Sequence, residues 1–348
     1  MTQAIRPLAS QSPAPRNESQ NPGLAPGSDN SGVPLEDFKD KQAAEDKARF
    51  FDYREAANPV RKGLTEPIGY RQWGPSLHSS GPTAILPLDT SADLGCPAPA
   101  TSPGLSASFI RLRAGESLAA TARATSSLFY VLQGQGQVER QTSALGRALH
   151  HPWSQGDLFV LPAGAVPTLR ADNTSVLYWV HDAPLLNYLG VKPCEPRFEA
   201  TFYDGSRLEQ ELTNLMEDPS SARSNRLSIL LANADLPASR TVSHTLWAMY
   251  GAVRPGSCQP PHRHQSVAVD LIIDCAPGCY TLVGPTLADN GAIHNPTRID
   301  WEPGGVFVTP PGHWHAHVNE SERLARLLPI QDAGLHTYLR SLDIRFSD

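Results

Sequence analysis

Apolar side chains occur mainly in short runs along the chain, and glycine or proline follows most of these runs. Residues 128–132 are all apolar and precede Gly134, and the apolar run 158–161 is followed at once by Pro162. Short apolar runs bounded by turn residues are typical of buried β-strands. The pattern therefore predicts a protein built mainly from short strands.

Two segments depart from this pattern. Leu208, Leu212 and Leu215 have the spacing of one helix face and Pro219 follows them, which predicts a short helix. Residues 1–45 are rich in Ser, Pro, Asn, Gln and Gly and contain few large apolar side chains. Such a segment cannot bury a core, so it is predicted to be disordered.

The second half of the chain repeats features of the first. A glycine followed by Pro-x-Gly at residues 156–164 returns at residues 304–312, and the sequence at 182–189 returns in similar form at 332–339. An internal repeat of this kind indicates a duplicated architecture. Asp332 has a counterpart in Asp182 and is interpreted as a cap or turn residue.

Composition narrows the range of partners. The 348 residues include 32 Pro and 26 Gly, and the net charge of −6 is spread along the chain, which disfavours nucleic acid. No apolar run reaches the ~18 to 20 residues of a membrane span, and the first residues lack the pattern of a secretory signal. A cytoplasmic protein without a membrane partner is expected, and the five scattered cysteines predict no disulfide framework.

Histidines near the end of the chain carry the strongest chemical signal. His262 and His264 alternate as on one face of a strand, and His315 follows a predicted buried strand and a Pro-Pro-Gly turn. Three neutral nitrogen ligands that leave coordination positions open are typical of a catalytic metal site rather than a structural one.

The spacing of these residues resembles the two motifs of the cupin superfamily. In the first motif a glycine precedes His-x-His by five residues, as in Gly256, His262 and His264. The positions of the second motif hold Gly304, Pro310, Gly312, His315 and Asn319.

Within the superfamily, His-Arg-His paired with Trp-His-x-His most resembles the gentisate and salicylate ring-cleaving dioxygenases, which are two-cupin proteins with mononuclear ferrous iron. The resemblance implies an all-β fold of two tandem cupin barrels, each a double-stranded β-helix or jelly roll, with a disordered N-terminal tail and a short helical linker. It also implies Fe(II) bound by His262, His264 and His315, a small-molecule substrate, dioxygen and a homo-oligomer. Imidazole sites also accept Mn, Ni, Co or Zn, so the metal stays open.

The first cupin unit lacks the metal-binding histidines. The corresponding positions hold Thr121, Arg123 and Pro167, and neither a hydroxyl nor a guanidinium replaces an imidazole ligand. The predicted division is a disordered tail (1–45), an ordered lead-in segment covering the first barrel (46–104), a cupin domain without metal (105–190), a linker with a helix (191–243) and a metal-binding cupin domain (244–348).

Two further residues are candidates for catalysis. His317 lies two residues beyond His315, where the related dioxygenases have a histidine that lines the substrate pocket, although a structural role is an equal alternative. Asp270 stands where those relatives carry an arginine that binds the substrate carboxylate. It is interpreted as a base, as a group that binds a cationic or hydroxylated part of the substrate, or as a group near the metal, and alternatively as the ion-pair partner of an arginine such as Arg254 or Arg298. A carboxylate at this position would repel a carboxylate substrate, which disfavours gentisate itself.

These features predict a metal-dependent enzyme, a gentisate-dioxygenase-like Fe(II) oxidoreductase that cleaves a small hydroxylated aromatic acid. One alternative keeps the metal and performs isomerase or lyase chemistry without oxygen. Another is a two-cupin protein that binds a small molecule without turnover.

Overall fold

The computed structural model describes residues 45–141, 148–221, 224 and 226–347. The predicted disordered tail lies outside these residues, apart from residue 45. The chain divides into two units, residues 1–57 and 58–348. The described part of the first unit contains the short helix α1 (Tyr53–Ala56), where the side chain of Asp52 accepts a hydrogen bond from the backbone N–H of Arg54.

The second unit consists mainly of antiparallel strands, as the short apolar runs predict. Up to the linker its elements are β1 Gln72–Trp73, β2 Ala84–Pro87, α2 Ser91–Leu94, β3 Ser106–Leu112, β4 Ser117–Ala119, β5 Ser126–Gln133, β6 Gln135–Gln141, β7 Ala148–Ser154, β8 Leu158–Pro162, β9 Thr168–Ala171, β10 Ser175–His181, α3 Ala183–Leu189 and β11 Thr201–Tyr203. From the linker onward they are α4 Gly205–Glu217, β12 Leu227–Leu231, β13 Trp247–Val253, β14 Ser257–Cys258, β15 His262–Arg263, β16 Ala268–Asp274, β17 Cys279–Gly284, β18 Thr297–Asp300, β19 Val306–Thr309, β20 Trp314–Asn319, β21 Ala325–Gln331, α5 Ala333–Leu339 and β22 Arg345–Phe346. Single 3₁₀ turns occur at Pro75–Leu77 and Pro219–Ser221.

The first barrel pairs a sheet of order β11-β8-β5-β10-β3-β2 with a smaller sheet of order β4-β9-β6-β7. Aromatic side chains fill the space between them. The ring of Phe129 stacks on Phe159 at 4.8 Å and on Trp179 at 5.7 Å, measured between centroids. Because each such buried ring contributes about 1.5 to 3 kcal/mol, this barrel interior is a packed hydrophobic core.

The second barrel pairs a sheet of order β1-β19-β16-β21-β13-β12 with a sheet of order β18-β17-β20-β15-β22. The lead-in segment was predicted to cover the first barrel, but it contributes a strand to each barrel: β2 pairs with β3, and β1 pairs with β19. A continuous buried cluster joins the facing large sheets of the two barrels, with Phe109 and Tyr178 from the first and Val269 and Leu328 from the second. The two barrels therefore share one hydrophobic core at their interface, in addition to a separate hydrophobic cluster within each barrel.

The helices have simple structural roles. In α4 the carboxylate of Asp204 caps the first turn, and Leu208 and Leu212 are buried. Asp182 and Asp332 precede α3 and α5, and each carboxylate accepts backbone N–H groups from the strand region of its own barrel, Asp332 from Val267 at 2.9 Å. Both aspartates are thus turn residues in equivalent positions.

None of the helices in the described part of the chain has the length and apolar character that crossing a bilayer requires. The five cysteines are all free thiols.

Candidate metal centre

Two adjacent strands bring the three predicted ligand histidines together. His262 on β15 lies opposite His315 on β20 in the antiparallel register, and His264 follows His262 by two residues, which places both on one face of an extended chain. One ring nitrogen of each histidine lies within 4.8 Å of those of the other two. The three rings can therefore share one ion.

The turn before β20 is tied to the strand of the first two histidines. Gly312 has a φ of 73°, in the left-handed region that favours glycine. Its N–H donates to the carbonyl oxygen of His264 at 2.6 Å. The glycine of the second motif thus fixes the approach of His315 to His264.

Hydrogen bonds set the proton positions on two of the rings. Nδ1 of His264 is 2.9 Å from the carbonyl oxygen of Ser266, and Nδ1 of His315 is 3.2 Å from that of His313. A carbonyl only accepts, so Nδ1 carries the proton in both rings and Nε2 carries a lone pair. Nε2 of His264 is buried and has no hydrogen-bond partner among the described residues, as expected of an atom that binds a metal.

Burial keeps these imidazoles neutral. Desolvation lowers the pKa of His264 to about 4, and desolvation followed by the charges of neighbouring groups holds the pKa values of His262 and His315 well below the ordinary value. A metal binds the neutral form of histidine. None of the three rings therefore has to lose a proton to reach its neutral form at neutral pH.

His317 lies beside the cluster but outside it. Its Nδ1 is 2.9 Å from the hydroxyl of Thr281, which also accepts a hydrogen bond from the indole N–H of Trp301 at 2.8 Å. Desolvation lowers the pKa of His317 to about 3. His317 is thus a neutral, positioned imidazole on the wall of the same pocket.

Asp270 lines the same pocket and is 1% exposed. The alternative of an ion pair with Arg254 or Arg298 is wrong, because Arg254 donates to the carbonyl oxygen of Met216 and Arg298 pairs with Asp300. The carboxylate accepts a hydrogen bond from the Thr309 hydroxyl at 2.8 Å. Desolvation raises the pKa of Asp270 to about 7, so the group can gain or lose a proton near neutral pH.

The histidines face a cavity of about 210 Å³ with mainly apolar walls. A cavity of about 150 Å³ is enough for one benzene ring, so this pocket accommodates a substituted aromatic ring. Its apolar lining consists of Trp247, Met249, Ala268, Leu327, Pro329, Ile344 and Phe346.

Several residues of the site carry no signal in the sequence. Arg226, which precedes β12, lies in the pocket wall, and its guanidinium is 2.8 Å from Nδ1 of His262. Phe346 on β22 pairs with His262 across the sheet. Tyr70 from the lead-in segment contacts His313, with 2.8 Å between the hydroxyl and Nδ1. All three are distant from the motifs in sequence and reach the site only through the fold.

Comparisons with known proteins agree with this architecture. Residues 101–182, which belong to the first barrel, match the cupin family model. The chain is 28% identical over 98 residues to gentisate 1,2-dioxygenase 1 of Aquipseudomonas alcaligenes, a match that covers 28% of this chain and 25% of that protein. It is 31% identical over 97 residues to 5-aminosalicylate 1,2-dioxygenase of a Comamonas species, which covers 28% of this chain and 23% of that protein. The match thus spans about a quarter of the length of these relatives.

Similarity in structure extends over most of the chain. Salicylate 1,2-dioxygenase of Pseudoaminobacter salicylatoxidans, solved as a mutant in complex with gentisate, superposes with a TM-score of 0.65 at 14% identity, over 90% of this chain and 97% of that one. A mutant of the oxalate decarboxylase of Bacillus subtilis superposes with a TM-score of 0.51 at 14% identity, over 82% and 84%.

The class that these findings define is one of fold: the chain forms two tandem jelly-roll barrels of the cupin type, and residues 101–182 match the cupin family model. The predicted all-β fold with a helix in the linker is confirmed. The more particular resemblance, to the gentisate and salicylate 1,2-dioxygenases, is confirmed as well.

Proposed function

We propose that this protein is a mononuclear metal-dependent dioxygenase that acts on a small hydroxylated aromatic acid, with His262, His264 and His315 as ligands of Fe(II). The observation that carries the proposal is the convergence of three neutral imidazoles, two buried and one half-buried, on an apolar pocket. Relatives named for gentisate and 5-aminosalicylate 1,2-dioxygenation support it.

The residues present fit a metal ion. The unpartnered Nε2 of His264 provides a lone pair, and three neutral nitrogen ligands leave further coordination positions for small ligands. When bound, ferrous iron would supply the electron transfer between an aromatic substrate and dioxygen. Mn, Ni, Co or Zn would fit the same nitrogen ligands.

The other residues of the pocket would bind and orient the substrate. The apolar walls exclude water from a bound ring. His317, held by Thr281, presents an imidazole to the pocket, and Asp270 is a carboxyl group that exchanges its proton near pH 7. We propose these two as the groups that hold or move the proton of a substrate hydroxyl.

Metal analysis and oxygen uptake test the proposal together. Protein purified without added metal should contain iron that His315→Ala removes, and the matched variant His150→Ala should retain it because His150 is exposed in the first barrel. Oxygen consumption with at least one member of a panel of hydroxylated aromatic acids, which includes gentisate, salicylate and 5-aminosalicylate, is the expected activity. Metal content without oxygen consumption across a broad panel of hydroxylated acids would refute a dioxygenase.

The same assays separate the two alternatives. Turnover without oxygen uptake would identify a metal-dependent isomerase or lyase, and recovery of an unchanged ligand would identify a binding protein. The domain boundaries, the homo-oligomer and the cytoplasmic location stay predictions. Light scattering on purified protein tests the oligomer.

A further inference from the structure

Arg226 contacts one of the three candidate metal ligands. Its Nη1 is 2.8 Å from Nδ1 of His262, its Nη2 donates to the carbonyl oxygen of Pro260 at 2.5 Å, and its guanidinium carbon lies 4.7 Å from the ring centroid of Phe346. The guanidinium is therefore held against the His262 ring at the wall of the pocket.

This contact uses the lone pair that a metal would need. A guanidinium is a donor only, so Nδ1 of His262 must accept the hydrogen bond. A neutral imidazole has one nitrogen lone pair, and with Nδ1 accepting, the proton sits on Nε2. While Arg226 donates to Nδ1, the lone pair of Nδ1 is occupied and Nε2 carries the proton. The ring therefore cannot bind a metal ion through either nitrogen. Arg226 and a metal thus compete for His262.

Among the described residues Arg226 also has no negatively charged partner. In the part of the chain that the structure describes, no carboxylate forms an ion pair with it. A guanidinium stays protonated in proteins, so Arg226 is charged at neutral pH. A half-buried guanidinium without a carboxylate beside an aromatic-sized cavity is a receptor for a carboxylate ligand, which it can bind in a bidentate way.

We propose that an anionic ligand and the metal bind cooperatively through Arg226: a carboxylate in the pocket attracts the guanidinium, releases Nδ1 of His262, and frees that ring for the metal. This inference rests on the proposed metal site. By linkage, the metal strengthens binding of the anion by the same factor.

Co²⁺ and benzoate are suitable probes, since Co²⁺ is stable in air and benzoate has a carboxylate but no hydroxyl to react. Calorimetry would measure Co²⁺ binding to chelator-treated protein, with and without benzoate, for the wild type and Arg226→Met. Methionine keeps an apolar chain beside Phe346 and removes the donor. Arg345→Met is the matched control because Arg345 is next to Phe346, pairs with Asp343, and loses the same charge.

A charge-assisted hydrogen bond corresponds to a change of about tenfold in affinity. We expect benzoate to tighten Co²⁺ binding about tenfold in the wild type and in Arg345→Met. In Arg226→Met we expect Co²⁺ to bind about tenfold more tightly without benzoate, and benzoate to add little.

Nitrogen NMR of the histidine rings gives a measurement on the unaltered protein. In the metal-free wild type the His262 signal, assigned by its loss in His262→Gln, should show the proton on Nε2, and benzoate should shift it toward Nδ1. An equal benzoate effect in the wild type and Arg226→Met, or no effect in either, would overturn the inference and leave the metal site standing. Failure of Co²⁺ to bind to any of the proteins would overturn both.

Discussion

Replacing Asp270 by asparagine should stabilise the metal-free protein at neutral pH. Asp270 is buried and its pKa is raised from 3.8 to about 7 by desolvation. Asparagine has nearly the same shape, carries no charge, and its side-chain oxygen can still accept from the Thr309 hydroxyl that now bonds to the carboxylate.

The direction and the magnitude of the change in stability follow from the pKa of Asp270 in the unfolded chain, 3.8, and in the folded protein, about 7. Below about pH 4 the carboxyl group is protonated in both the folded and the unfolded chain, and above about pH 7 it is ionised in both. Between these limits the folded protein holds the proton more tightly, so stability falls as pH rises. The loss of folding stability caused by the ionised Asp270 carboxylate reaches its full value, about 4 kcal/mol, just above pH 7.

The assay is urea unfolding followed by tryptophan fluorescence at several pH values, with the difference between Asp270→Asn and the wild type taken at each pH. The other titrating groups, such as Asp332 and the histidines, are common to both proteins and cancel in this difference. We expect little difference near pH 4 and a gain that approaches about 4 kcal/mol above pH 7. A difference that does not depend on pH, or that decreases as pH rises, would show that Asp270 is not a buried carboxyl group with a raised pKa.

Other predictions concern the metal and the first barrel. Because the pKa of His264 is about 4 and the pKa values of the other two ligands lie well below the ordinary value, metal affinity should stay nearly constant from about pH 7 to 5.5. A steep loss of affinity in calorimetric titrations over that range would contradict neutral ligands. Phe129→Ala should cost about 3 to 5 kcal/mol of stability through the cavity it leaves, while metal content per folded protein, measured by elemental analysis, should not change.

Much of the fold follows from local patterns in the sequence. The alternation of strand residues places His262 and His264 together, and the spacing from Gly304 to Asn319 matches the turn and strand that bring His315 to them. The helix α4 was also predictable, because Leu208 and Leu212 form its buried face.

What the sequence could not predict depends on contacts between distant segments. Arg226 reaches His262 only because β12 and β15 belong to the same barrel, and no spacing rule connects them. The interpretation of Asp270 as an ion-pair partner of Arg254 or Arg298 was wrong because charge alone does not reveal that both arginines have other acceptors.

Strand β1 makes the two halves of this duplicated chain interdependent. It is contributed by the segment before the first barrel, yet it covers the edge of β19 in the second, and nearby His78 hydrogen-bonds to the carbonyl oxygen of Gly304 at 2.9 Å. A fragment that begins at residue 244 would expose the β19 edge and half of the shared core, and open strand edges recruit other chains. The second barrel is therefore not an independent folding unit, and a fragment that contains only this histidine-bearing half should not be a stable monomer.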